Sequence, residues 1–281
     1  LLINLLKREN RDGRILYSVI ELLLGMKKID WSELVDRQEF DSLKEVKELE
    51  EFLGEASNPE VVTLGKIKNW GEMVTIPEGK FIYQDEKDEE DHIFLKEFSI
   101  MKFPVTNALY KEFDPNHILR FPLYSFLDDH PVIGINFYES LVCALWLGRR
   151  LPIEKEWEKS SRGIDGRDYP WGEAMGYQND YANTCDFVIG KTSSVTEFEQ
   201  GISPFGCFDM AGNVWEWCVQ LHSKGHVIQR VARGGSWLNY MVHSKCAYRN
   251  TFNPDERYPA CGFRCVSLPL TEVDDDFEDD E

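Results

Sequence analysis

What this sequence is short of limits what it can do. Positive charge comes first: 31 Lys and Arg stand against 50 Asp and Glu, a formal net charge of −19. Binding to nucleic acid needs clustered cations that displace counterions from phosphate, so no nucleic-acid partner is expected. Long apolar runs are also missing. No stretch reaches the roughly 20 apolar residues that span a bilayer as a helix, so membrane insertion is not expected. Among the seven Cys there is no CxxC and no Cys/His spacing of a zinc site, and an odd number cannot pair completely within one chain. Most sit beside apolar or aromatic neighbours, as in Val142-Cys143-Ala144 and Trp217-Cys218-Val219, and read as reduced core thiols. The six His are scattered. His222 and His226 are four apart, but Ser223, Lys224 and Gly225 between them read as loop, not as the helical turn that would put both rings on one face. No nucleophile–base pair and no phosphate-cradling glycine loop stands out.

The opening Leu1-Leu2-Ile3-Asn4-Leu5-Leu6 is too short, and too soon followed by Lys7, Arg8 and Glu9, for a secretory signal. With reduced thiols, this places the expected location in the cytoplasm. A chain that starts at Leu also reads as a piece of something longer.

What is present divides into three parts. Residues 1–66 carry apolar positions at helical spacing (Ile15, Val19, Leu22, Leu23, then Leu43, Val46, Leu49, Leu53) and read as a helical segment, either a hairpin or the end of a longer helical region. Residues 70–267 read as one domain of short strands, few helices and long loops. Met73 to Phe81 reads as strand–turn–strand. Thr106 to Phe113 and Phe137 to Gly148 read as helices, with Thr106 and Asn136 as caps. The aromatic fraction of 13%, with eight Trp, suits such a domain, because large rings cover irregular backbone. Residues 268–281 form an acidic tail which, like the run Asp85 to Asp91, reads as solvated, disordered chain.

Several blocks carry a resemblance. They are Glu72 to Phe81, Phe103-Pro104-Val105-Thr106-Asn107, His130-Pro131-Val132, Arg150-Leu151-Pro152-Ile153-Glu154-Lys155-Glu156-Trp157-Glu158, Tyr169-Pro170-Trp171-Gly172, Asp209-Met210-Ala211-Gly212-Asn213-Val214-Trp215-Glu216-Trp217, Arg233-Gly234-Gly235-Ser236-Trp237 and Gly262-Phe263-Arg264-Cys265-Val266. Their kind and order resemble the formylglycine-generating-enzyme (sulfatase-modifying-factor) family. The resemblance implies an α+β, C-type-lectin-like domain with a small antiparallel sheet, two helices and long ordered loops. From the residues themselves, Trp215 and Trp217 alternate with Glu216 as on a strand with one buried face. Arg150, Arg233 and Arg264, set among apolar residues, are expected in buried ion pairs or on carbonyls.

The resemblance also bears on catalysis. Enzymes of this family use two cysteines shortly after the RGGS block to bind copper and activate oxygen, a role that suits soft thiolates. This sequence places Asn239 and Ser244 at those positions. Cys246 is two residues off, and Cys261 and Cys265 belong to the closing block. Neither copper nor the three-His iron of a related branch is expected, and the chain reads as non-catalytic.

The stretch from Leu238 to Cys261 resembles the variable region of proteins diversified by retroelements, which share this fold and are rewritten at adenines of Asn codons ahead of the closing GFR block. The resemblance implies Leu238, Asn239, Tyr240, Val242, His243, Tyr258, Pro259 and Ala260 as ligand-binding positions. Each of these residue types is reachable from AAC by changing adenines alone. Rings and small polar groups on a rigid loop suit a binding surface. The partner implied is a protein or other macromolecule. Finally, the resemblance implies a structural Ca²⁺ held by the side chains of Asp209 and Glu216 and the carbonyls of Gly212 and Val214, hard oxygen ligands of the right kind. Two other readings stay open: an enzyme of unrecognised chemistry in the same superfamily, and a sensor or accessory domain of a larger defence or signalling protein.

Overall fold

The computed structural model describes residues 70–84, 92–115, 117–172, 180–224 and 227–267. The expected N-terminal helices, the acidic run from Asp85 to Asp91, His226 and the C-terminal tail lie outside these residues.

Eight strands and three helices are present among the described residues. β1 (Met73–Ile76) pairs antiparallel with β4 (Phe98–Met101), and β2 (Gly79–Phe81) with β3 (Ile93–Leu95). Helices α1 (Asn107–Phe113), α2 (Phe137–Trp146) and α3 (Glu154–Arg162) follow. The main sheet then forms from β5 (Trp215–Lys224), β6 (Val227–Arg233), β7 (Arg249–Phe252) and β8 (Cys261–Gly262), in the order β7-β6-β5-β8. β5–β6 and β6–β7 are antiparallel; the short β5–β8 pairing is parallel, with Trp215 opposite Cys261. Val266 bridges both Ile100 and Arg150, so the last described segment ties β4 to the residues ahead of α3. No helix among the described residues is long and apolar enough to cross a membrane.

Local chemistry accounts for the helix starts. The Thr106 hydroxyl accepts the Leu109 N–H, capping α1. Asn136 and Glu139 form a reciprocal capping box at α2: Asn136 Oδ1 accepts from the Glu139 N–H at 2.9 Å, and Glu139 Oε2 accepts from the Asn136 N–H at 2.8 Å. α2 ends at Trp146, just short of the expected Gly148.

α3 is the helix that the apolar pattern did not announce, and its packing explains why. Glu154, Glu156, Glu158 and Arg162 are all buried there, beside a fully buried Trp157. The helix is held by ion pairs as well as by apolar contact. Arg150 grips Glu156 in two hydrogen bonds of 2.8 and 2.6 Å. Arg233 lies between Glu154 and Glu158, and its two terminal nitrogens also donate to the carbonyls of Cys246 and Ala247. Arg162 closes on Glu158 within the same helix. Glu216 on β5 takes Arg264 through two bonds, of 2.6 and 2.8 Å, and also the Trp157 indole N–H at 2.8 Å. A charge buried in this way is tolerable only when paired and hydrogen-bonded, and removing one partner costs about 3–5 kcal/mol. Glu216 is fully buried along with Trp215 and Trp217, so this part of β5 is covered on both faces, not the single face that its alternation suggested.

Two apolar clusters flank this layer. One joins α1 and α2 to Trp215, Trp217 and Phe263; the other gathers Ile76, Phe81, Leu95 and Ile100 around Trp157, Val231 and Val266.

Candidate binding face

β6 ends at Arg233, and the chain turns through Gly234 and Gly235 with φ of 99° and 72°, in the region that favours glycine. A Cβ on Gly235 would lie 2.2 Å from Ser244 Oγ, so the turn can lie flat on the 3₁₀ segment Met241–Ser244 only because nothing projects from it. The loop leaving this turn is pinned in four places. Asn239 Oδ1 accepts from the Ser236 hydroxyl at 2.5 Å and from the Trp215 indole N–H at 2.8 Å. The Asn239 carbonyl accepts from the Cys185 N–H at 2.9 Å, and the Met241 N–H donates to the Asp186 carboxylate at 2.7 Å. Backbone fixed in this manner leaves the side chains of Leu238, Tyr240 and Val242 at 49, 63 and 53% exposure. His243 is half-buried, edge-on to Tyr248 at 5.0 Å.

The second segment is placed by the same Trp215, whose backbone N–H donates to the Ala260 carbonyl at 2.9 Å. Rings connect the two segments in a row from His243 through Tyr248, Trp215 and Phe252 to Tyr258, with successive centroids 5.0, 6.1, 6.1 and 4.4 Å apart. Arg257 takes both oxygens of Glu139 at 3.0 Å, the exposed Arg249 takes both oxygens of Glu154, and Trp237 and Phe263 are buried.

Two of the eight residues expected on this face have other work. Ala260 is buried, because its backbone is committed to Trp215 and its Cβ points inward. Asn239 is half-buried, with its carboxamide oxygen already bonded twice. Tyr258 and Pro259 are half-buried; the Tyr258 ring lies against Phe252, and its hydroxyl donates to Glu256 and accepts from the Asn253 N–H. The exposed part is therefore narrower at 258–260 than the sequence pattern implied.

Asn239 and Ser244, which the resemblance sets at the enzymes' cysteine positions, hold no thiol, and Ser244 is fully buried. The nearby Cys246 is buried beneath the loop, its sulfur accepting from the Ser161 hydroxyl at 3.1 Å, and burial pushes its thiol up to about 12. Cys265 is likewise pushed up to about 12 by burial. Thiolate, the form that binds copper, is strongly disfavoured at both. All seven cysteines are unpaired, and six are buried; Cys185, beside the Asn239 loop, is the half-buried one.

The donor set implied for calcium is already committed to protein partners. Glu216 carries three N–H donors from Arg264 and Trp157, and Arg264 balances its charge. Asp209 Oδ2 accepts from Asn213 Nδ2 at 2.8 Å, and burial pushes the Asp209 carboxyl up to about 7. Among the described residues Asp209 makes no ion pair, although the Arg264 guanidinium acts on it at longer range. Among the described residues no group of three or more His, Cys, Asp or Glu gathers as a metal site. As they stand, these residues do not fit the ion. His222 lies exposed on β5, which runs through Ser223 and Lys224 where a loop was expected.

Sequence reasoning missed the neighbouring loops. Leu123, Tyr124 and Phe126, and Val188 and Ile189, are exposed apolar residues in irregular segments, and that combination was their signal.

A model of the sulfatase-modifying factor enzyme 1-like domain matches residues 60–268. Among curated proteins, the chain is similar to serine/threonine-protein kinase pkn1 of Chlamydia caviae, 31% identical over 242 residues, a match covering 69% of this chain and 38% of the kinase. It is also similar to the formylglycine-generating enzyme of Streptomyces coelicolor, 32% identical over 168 residues, covering 50% of this chain and 53% of that one. The inactive C-alpha-formylglycine-generating enzyme 2 of Bos taurus is 31% identical over 156 residues, covering 50% of each. The chain thus spans under half the length of the kinases and about half of the others. Two solved structures share the fold: PvdO from Pseudomonas aeruginosa, with a TM-score of 0.61 at 22% identity, covering 71% of this chain and 95% of that one, and Treponema denticola variable protein 1, with 0.60 at 20%, covering 70% and 95%.

Proposed function

We propose that this chain, which belongs to the sulfatase-modifying factor enzyme 1-like family, is a non-catalytic, ligand-binding member that displays the loop around Leu238, Tyr240, Val242 and His243 to a macromolecular partner. One observation carries this reading. The loop that holds the catalytic cysteines in the family's enzymes is here rigidly pinned through Asn239, while its neighbouring side chains face solvent. Large exposed rings and aliphatic groups on fixed backbone give contact area at low entropic cost, and isolated monomers seldom leave such patches uncovered. The likeness of fold to a protein named as variable, and residue types reachable from AAC at the displayed positions, support a variable protein of a diversity-generating retroelement.

Sequencing the locus tests this. Diversification requires a near-identical template repeat differing at adenines beside a reverse-transcriptase gene, with substitutions among isolates concentrated at positions 238–243 and 258–260. Substitutions spread evenly over the 70–267 domain, with no such repeat, would leave a plain binding domain.

A second reading has its own support. The kinase relatives match this chain over only part of their length, which suits an accessory or sensor domain attached to a larger signalling protein. In that reading the same face meets either the rest of that protein or the signal it senses.

A further inference from the structure

We propose that Arg230 anchors a second ligand site, which takes a carboxylate at the corner where β6 meets the start of α2. This goes beyond the reading of the 238–243 loop and does not depend on it.

Every described arginine except Arg149 and Arg230 meets a carboxylate. Arg149 donates to the Gly71 carbonyl, close to where the described chain begins. Arg230 lies within the main sheet, on β6 and in register with Phe252 of β7. Its guanidinium sits over the ring of Phe137, the first residue of α2, 4.4 Å from the centroid. Nη1 donates to the carbonyl of Val219, which lies where the β5–β6 register slips between Trp217 and Leu221. A bulge leaves backbone groups outside the ladder, so one nitrogen has a structural task.

The other two nitrogens have none. Nε is fully buried without a partner, and Nη2 makes no hydrogen bond among the described residues. These two share the guanidinium edge that grips a carboxylate through parallel bonds. Burial lowers the Arg230 guanidinium to about 10, and only the Tyr138 hydroxyl acts in the other direction. No acid near the start of α2 fills the place. Glu139 is taken by Arg120 and Arg257. Asp255 is exposed and acts on Tyr138, not on Arg230. A buried cation is tolerated when an anion and hydrogen bonds compensate it, and here both are missing along one open edge. A singly charged planar group suits that edge. Phosphate and polyanions carry more charge than a chain of formal charge −19 favours.

The test uses the full chain at neutral pH and constant ionic strength, with sodium acetate exchanged for sodium chloride. One readout is the Arg230 Nε–H signal in proton–nitrogen spectra, assigned by its loss in Arg230→Lys. The other is the melting temperature. Acetate should shift the signal saturably and raise the melting temperature, because a ligand that binds the folded chain alone stabilises it. Arg230→Gln keeps an amide donor for Val219 but no charge, and should lose the rise. Arg230→Lys keeps the charge without the two-nitrogen edge, and should keep only part of it. A role confined to the bulge would leave both variants responding like wild type. A full-length variant whose acids from Glu272 to Glu281 are changed to their amides separates two sources of carboxylate. A larger acetate response than wild type assigns the chain's own tail as the resident group, and an equal response assigns a separate ligand. No shift in either chain, or an unchanged rise in Arg230→Gln, would overturn the site. A shift of equal size with phosphate would overturn the carboxylate assignment. If Arg230→Gln does not fold, the two titrations followed at Nε–H decide alone.

Discussion

The indole N–H of Trp215 donates to the carboxamide oxygen of Asn239 across 2.8 Å, joining the start of β5 to the loop after the Gly234-Gly235 turn. By the resemblance of the RGGS block, Asn239 takes the position implied for the first cysteine of the family's enzymes. A residue type that cannot ligate copper through sulfur is thus built into the scaffold as an acceptor, with Ser236 as its second donor.

Removing that acceptor leaves two donors seeking partners. Asn239→Ala is expected to cost about 1–3 kcal/mol, read as a lower urea midpoint at unchanged m-value. A midpoint equal to wild type would show that the loop is not held this way.

The Arg264–Glu216 pair makes a sharper test. Arg264→Met strands a fully buried carboxylate and is expected to cost about 3–5 kcal/mol. Adding Glu216→Leu to it should recover part of the loss, since the unpaired charge is then gone. A double variant less stable than the single one would mean that the pair's geometry, and not its charge balance, dominates.

Asp209 gives the stability a pH signature. Burial raises its folded-state carboxyl to about 7, above the ordinary carboxylate value. The folded chain therefore holds this proton more tightly than the unfolded chain does. The stabilisation is full below about pH 4 and is lost as pH rises through 7. Comparing melting temperatures of wild type and Asp209→Asn across pH 4 to 8 isolates it: the difference should move in favour of Asn as pH rises. Calcium at Asp209 would reverse this by favouring the ionised form, so a melting temperature at pH 8 that rises with added Ca²⁺ and falls with chelator would show the ion bound there.

Thiol accessibility follows from burial. Native protein treated with iodoacetamide at pH 8 should label at Cys185, with the six buried thiols modified only after unfolding. Fast labelling at Cys246, whose thiol burial pushes up to about 12, would contradict the packing of the loop over it.

Much of this was legible in the sequence, for physical reasons that differ by residue. Thr106 and Asn136 announced two helices because caps are local chemistry. Arg150, Arg233 and Arg264 announced buried pairs because a cation among apolar residues needs a partner. α3 was hidden because its buried surface includes Glu154, Glu156 and Glu158, whose partners come from distant blocks, so no apolar period marks it. The exposure of Leu238, Tyr240 and Val242 was legible. It was misjudged at Ala260, where a pairing with Trp215 set by the sheet decides burial. The loops carrying Tyr124 and Val188 come next to the 238–243 loop only through tertiary hydrogen bonds.

The non-catalytic assignment is tested most directly by incubating the purified chain with Cu(I), oxygen and a Cys-containing peptide of the sulfatase type, and following the peptide's mass. The account predicts an unmodified cysteine with or without copper, because the resemblance sets Asn239 and Ser244 at the ligand positions and Cys246 is buried as a thiol. Copper-dependent conversion of the peptide cysteine to an aldehyde would contradict it.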